Sequence, residues 1–187
     1  MRIYTSAVVF PCTFAQAALA LWHKYPNPHA AHVHAVDVLE RRVCPASGCI
    51  YTDRLLTLRQ SAPWWIRRLL GAQEYTYVYE RGVVDLSRAS IRATSANLSF
   101  SELLPVCERI EYRPAGAQHT LFVQRAEIEC RTPHVGLLDS VAHTVEEAAA
   151  RRFAENAARG RDGFAHVLAR LFGGSRAWRL LDTNIPT

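Results

Sequence analysis

Along residues 119–131 of this chain apolar and polar side chains alternate: Phe122, Ala126, Ile128 and Cys130 fall on one side, and Arg125, Glu127, Glu129 and Arg131 on the other. A period of two predicts a strand with one face on a core and the other in water. Strand-like segments also lie at 2–9, 32–43, 49–58, 74–85, 88–98 and 103–113, and the loop "CPASGC" between the second and third reads as a hairpin. Residues 13–24 carry Phe14, Ala17, Ala18, Leu21 and Trp22 at helical spacing, and Pro26 stops that helix. From 135 to 172 the period becomes 3.6, with Leu138, Val141, Val145, Ala149, Phe153, Ala157, Phe164, Leu168 and Leu171 in one stripe. A helix of that length runs about 50 Å, with Gly160 and Gly163 as points for a bend. The order of elements predicts an α+β fold in which helices cover one face of a curved antiparallel sheet and the long C-terminal helix encloses a ligand cavity. Residues 1–172 form the expected domain and 173–187 a loose tail.

The length of 187 residues favours one domain, and 49% hydrophobic with 21% charged residues is a globular composition. Such a chain buries roughly 70% of its unfolded surface, enough for an enclosed pocket. A formal charge of +5 favours anionic partners, nucleic acid or anionic membrane. Lys24 is the one lysine among 22 cations. Arginine's planar fork suits phosphate, although GC-biased coding gives the same richness. The longest apolar stretch, 7–22, is cut by Pro11, Cys12, Thr13 and Gln16 and falls short of the roughly 20 residues of a membrane span. No secretory signal or presequence pattern is visible, so the sequon Asn97-Leu98-Ser99 is expected to be idle. Five cysteines include no C-x-x-C pair; Cys44 and Cys49 flank the hairpin loop, where a cross-strand disulfide is one option in an oxidising compartment.

Three stretches could carry chemistry. "RQSAPWWIRRLLG", from Arg59, sets Pro63, Trp64, Trp65, Ile66 and Leu69 beside Arg67 and Arg68. It reads either as a small amphipathic lid that dips into an anionic membrane or as tryptophans packed on the sheet. Arg152, Asn156 and Arg159 share one face of the long helix and are either a phosphate cradle or a solvated row. His29, His32 and His34 invite a metal reading, but no fourth ligand repeats their spacing, so neither metal nor cofactor is expected. Tyr75, Tyr77 and Tyr79 alternate as one side of a strand, which argues against RNA stacking, and no nucleic-acid partner is expected. Nucleophile elbows, Walker loops and dinucleotide fingerprints are missing, which argues against an enzyme.

The start "MRIYTSAVVF", then "KYPNP", "HVHAVDVLERRV", "DRLL", "GVVD", "SANLSF", "ERIEY" and "RRFAENAARGRDGFAHVLARL" follow one another across residues 1–172. In that order they resemble the PRELI/slowmo family of mitochondrial intermembrane-space lipid transfer proteins, with the start, "VDVLERR" and "SANLSF" closer to the slowmo branch. The resemblance implies a START-like helix-grip fold, a seven-stranded sheet gripped around a lipid pocket. It also implies that Lys24, directly before the Tyr-Pro-Asn-Pro turn, meets the lipid phosphate at the pocket floor, where a surface lysine at a helix end is the plain alternative. His32, Arg152, Asn156 and Arg159 match family positions at the pocket, and the segment from Arg59 matches its lid. Thr57 and Leu58 depart from relatives that carry lysines there. A small helical partner with twin cysteine motifs retains family members in that compartment.

The function expected on this reading is a non-enzymatic carrier of an anionic glycerophospholipid, phosphatidic acid or phosphatidylserine, between mitochondrial membranes. The alternatives are a membrane-docking or partner-binding module that moves no lipid, and an enzyme built in a START-like cavity.

Overall fold

The computed structural model describes residues 1–59, 74–131, 139–173 and 178–180. The chain opens with strand β1 (Arg2–Phe10), turns at Pro11, and enters helix α1 (Phe14–Trp22). A capping box starts that helix: Thr13 Oγ1 accepts from the Gln16 N–H at 3.2 Å and Gln16 Oε1 from the Thr13 N–H at 2.9 Å. A short 3₁₀ turn (Pro28–Ala30) comes next, then β2 (Val33–Cys44), β3 (Cys49–Arg59), β4 (Tyr75–Asp85), β5 (Ser90–Asn97), β6 (Val106–Pro114) and β7 (Thr120–Ile128). Helix α2 (Asp139–Phe172) is continuous through Gly160 and Gly163.

Strands β2 to β7 form an antiparallel meander, and β1 returns to pair with β7 from Arg2↔Ile128 to Phe10↔Thr120. This is the expected open seven-stranded sheet. Bulges after Val33 and Val38 bend the edge strand β2. Residues 179–180, expected in a loose tail, instead pair with Val9 and Val8 as a two-residue strand β8 on the outer edge of β1. An edge strand with free backbone groups is a ready template, and the tail satisfies it there.

α2 packs on α1, the 3₁₀ turn, β1 and β7. Aromatic edges clamp it to the sheet, with Phe10–Phe164 at 4.9 Å, Tyr112–Phe164 at 5.3 Å and Tyr112–Phe122 at 4.7 Å between ring centroids. Of the predicted stripe Val145, Ala157, Phe164 and Leu168 are buried, and Leu138 lies outside the described residues. Cys44 and Cys49 face each other in the β2–β3 register, both as free thiols.

Candidate functional site

Between the concave face of the sheet and α2 lies a cavity of about 340 Å³. Its walls follow from strand and helix periodicity. Leu56 and Leu58 of β3, Thr76, Val78 and Glu80 of β4, Glu108, Ile110 and Tyr112 of β6, and Phe122 and Gln124 of β7 all project inward at every second position. From α2 come Phe153, Asn156, Ala157, Gly160, Arg161 and Phe164, spaced by three and one as a single helical face requires.

The antiparallel register gathers the polar inward positions into a belt. Arg54 stands opposite Glu80, Glu80 opposite Ser95, and Ser95 opposite Glu108. Arg54, 8% exposed, donates through Nε to Glu80 Oε1 at 2.9 Å and closes an ion pair there. Glu108 accepts from Ser95 Oγ at 3.0 Å and from Gln124 Nε2 at 2.5 Å. Gln124 Oε1 in turn accepts from Ser6 Oγ at 3.2 Å and from Arg161 Nη1 at 3.4 Å. Neighbouring positions on β3 point to opposite faces, so Asp53 finds Arg81 and Tyr79 on the convex side while Arg54 finds Glu80 inside. That is the physical content of the "DRLL" stretch.

Lys24 stands just past α1, not within its last turn: His23 is the cap, although the Lys24 N–H still reaches back to the Leu21 carbonyl at 3.4 Å. Asn27 fixes the turn after Lys24. Its amide donates to the Lys24 carbonyl at 2.5 Å and accepts from the His29 N–H at 3.0 Å. The turn is pressed against α2 at Gly163, where a β-carbon would come within 2.7 Å of Asn27 Oδ1. So held, Lys24 lines the cavity, 5.4 Å from the Tyr25 ring centroid, and makes no ion pair among the described residues. Burial alone would depress its ammonium, but Tyr25, Tyr112, Glu80 and Glu108 together raise it above the usual value, so Lys24 is a cation at neutral pH. Burial pushes the neighbouring Tyr112 phenol up.

His32 and Asn156 also line the cavity. Arg152 and Arg159 do not: they flank the inward face of α2, Arg159 is exposed, and Arg152 pairs with Glu155 at 3.6 Å. Their charge is still felt inside, because burial, then Arg159, Arg152 and Lys24, hold the His32 imidazole below its usual value. His29 leans on His166 and His34 on Tyr75, so the three histidines serve separate surroundings. Arg59 ends β3, exposed, its guanidinium 3.6 Å from Glu74. Pro63, Trp64, Trp65, Ile66, Arg67, Arg68 and Leu69 lie outside the described residues.

The polar belt escaped the sequence reading, and so did two further residues of the site. Asn97 lines the cavity and ties down the loop after β5, donating to the carbonyls of Ser99 and Leu104 and accepting from the Val106 N–H at 2.7 Å. Arg161 occupies the gap in the apolar stripe between Ala157 and Phe164, at i+4 and i−3, and is 7% exposed. An arginine at a core position of an otherwise apolar face was the signal.

A family model described as the PRELI-like family matches residues 15–174. The chain belongs to that family. Among curated relatives, UPS-like protein C36.10 of Schizosaccharomyces pombe is 36% identical over 172 residues, covering 91% of either chain. Protein UPS2, mitochondrial, of Saccharomyces cerevisiae is 36% identical over 171 residues, covering 90% of this chain and 73% of that one. PRELI domain-containing protein 1, mitochondrial, of Gallus gallus is 30% identical over 172 residues, covering 90% and 77%. Solved structures share the fold of this family member at low identity. The Zhui aromatase/cyclase of Streptomyces sp. R1128 has a TM-score of 0.61 at 12% identity over 91% of this chain and 95% of that one. A START superfamily protein of Mycobacterium smegmatis has a TM-score of 0.50 at 12% identity, over 86% and 94%. The helix-grip, START-like class expected from the sequence is the fold observed.

Proposed function

We propose that this protein is a non-enzymatic lipid transfer protein that carries one anionic glycerophospholipid, phosphatidic acid or phosphatidylserine, between mitochondrial membranes across the intermembrane space. The observation that carries this reading is Lys24, a cation without an ion-pair partner among the described residues, held in a largely apolar cavity. Glu80 and Glu108 help keep it charged without pairing with it, so its donors are open to an anion, and a lipid phosphate with apolar chains matches both the lysine and the walls. The cavity volume lies within the ~300–1,000 Å³ of small-molecule sites. Relatives named as mitochondrial support the organelle.

On this reading His32 and Asn156 complete the headgroup contacts. Arg152 and Arg159 at the rim, with the segment from Arg59 to Leu69, meet the anionic membrane surface, each nearby cation contributing about 1 kcal/mol of salt-sensitive attraction. A small helical protein with twin cysteine motifs is the proposed partner. The test is liposome-to-liposome transfer by the purified protein, with and without that partner, from donors containing phosphatidic acid, phosphatidylserine or phosphatidylcholine. Selective movement of one anionic lipid supports the carrier; binding to anionic liposomes without transfer points to the docking module instead.

A further inference from the structure

Arg161 is a second buried cation of the cavity that no carboxylate among the described residues answers. It lines the cavity, is 7% exposed, and forms no ion pair among the described residues. Its three hydrogen bonds all leave from Nη1 and all end on neutral acceptors: Tyr4 Oη at 3.0 Å, Ser6 Oγ at 3.3 Å and Gln124 Oε1 at 3.4 Å. Nε is buried with no hydrogen-bond partner among the described residues. A guanidinium carries five N–H donors in a rigid fork suited to a carboxylate or phosphate. Here one corner of the fork is shared three ways at long range.

The acids nearby are engaged elsewhere. Glu108 is turned toward Ser95 and Gln124, so the Gln124 amide separates it from Arg161. Asp162 accepts instead from Trp178 Nε1 at 3.1 Å, and the Trp178 ring stacks 5.2 Å from the guanidinium. Burying a charge with no opposite charge destabilises a fold, and a neutral glutamine or methionine would fill the position more cheaply. A cost of that kind at the wall of a binding cavity points to a ligand that repays it.

We propose that Arg161 is a second anion-binding group of the cavity, taking an acidic oxygen of the lipid headgroup in addition to the one held by Lys24. The hydroxyls of Tyr4 and Ser6 and the Gln124 amide hold the fork until that oxygen arrives. Gln124 then links the two charged ends of the belt, since its Nε2 stays on Glu108 while its Oε1 is released. The chemistry recognised is a phosphate or carboxylate oxygen on a glycerophospholipid. This inference rests on the carrier reading.

The test titrates the full chain with short-chain phosphatidic acid and phosphatidylserine by calorimetry, for wild type, Lys24→Ala, Arg161→Gln and Arg161→Lys, and records each melting temperature with and without lipid. Arg161→Gln is expected to weaken binding of the acidic lipid by about thirtyfold or more, with Arg161→Lys in between. Its lipid-free melting temperature is expected to equal or exceed that of wild type, and the lipid-induced rise to shrink. A purely structural arginine would do the reverse, losing lipid-free stability while the surviving folded protein binds normally. Wild-type affinity in a folded Arg161→Gln, beside a Lys24→Ala that has lost it, overturns this inference and spares the carrier. A wild type that binds neither lipid overturns both.

Discussion

Asn27 and Gly163 touch where no third atom could fit: a β-carbon on residue 163 would stand 2.7 Å from Asn27 Oδ1 and 3.1 Å from Asn27 Cγ. The glycine is there so that the turn carrying Lys24 can lie against α2. Gly163→Ala is expected to cost roughly 1–3 kcal/mol from overpacking and to weaken lipid binding beyond that, because the displaced turn takes Lys24 with it. Thermal melts with lipid titrations read both. Asn27→Ala on top of Gly163→Ala restores stability more than binding, since Asn27 also holds the Lys24 carbonyl.

Lys24→Ala is expected to abolish selective transfer while leaving the fold intact. Removing one partner of a buried charge contact costs about 2 kcal/mol or more of binding, some thirtyfold in affinity. The surroundings raise the Lys24 ammonium above its usual value, so the folded state favours that cation, and the lipid-free Lys24→Ala protein is expected to stay folded with a somewhat lower melting temperature. Transfer rates and melting temperatures of the same preparation decide it; a folded Lys24→Ala that transfers at the wild-type rate ends the assignment.

His32 makes binding depend on pH in a direction set by its surroundings. In the lipid-free protein burial and the charges of Arg159, Arg152 and Lys24 depress its imidazole below its usual value. The unfolded chain therefore takes up a proton that the native state resists, and stability falls as pH drops through about 6.5. A bound anion favours the imidazolium, so binding takes up a proton and affinity is expected to rise as the pH is lowered. His32→Gln flattens both curves; subtracting its profile removes the titration of the lipid itself.

Glu80→Gln leaves Arg54 buried and unpaired behind the cavity wall, at a cost of about 3–5 kcal/mol. Replacing both, as Arg54→Met with Glu80→Leu, is expected to recover most of that loss in chemical denaturation. Equal stability of Glu80→Gln and wild type would mean the pair is solvated in solution.

Much of the fold was legible because local period and burial agree. In β7, Thr120, Phe122, Gln124, Ala126 and Ile128 are all buried, so alternation alone marked its inner face. The pairing of residues 179–180 with β1 was not legible, since two residues carry no period. For the site, the proline-rich turn pointed to Lys24 through the family resemblance, whereas the belt from Arg54 to Glu108 is created by register. Ser95 and Glu108 look like ordinary strand residues until antiparallel pairing sets them opposite each other. Arg152 and Arg159 drew attention as a charged row, yet one position along the helix turns a side chain by about 100°, which puts their neighbours Phe153 and Gly160 inside in their place.

The return of β1 to β7 also sets a timetable. Ser6 and Gln124, which meet in the belt, are 118 positions apart, and the cavity needs Phe10 of the first strand and Lys24 just past the first helix together with Phe164 of α2. A chain emerging from a ribosome or a translocation pore makes its β2–β6 meander first, with the concave face bare. Long-range closure of this kind is slow and leaves apolar surface exposed while it waits. The cavity does not exist until α2 closes over the sheet, and until then its apolar face stands open to water.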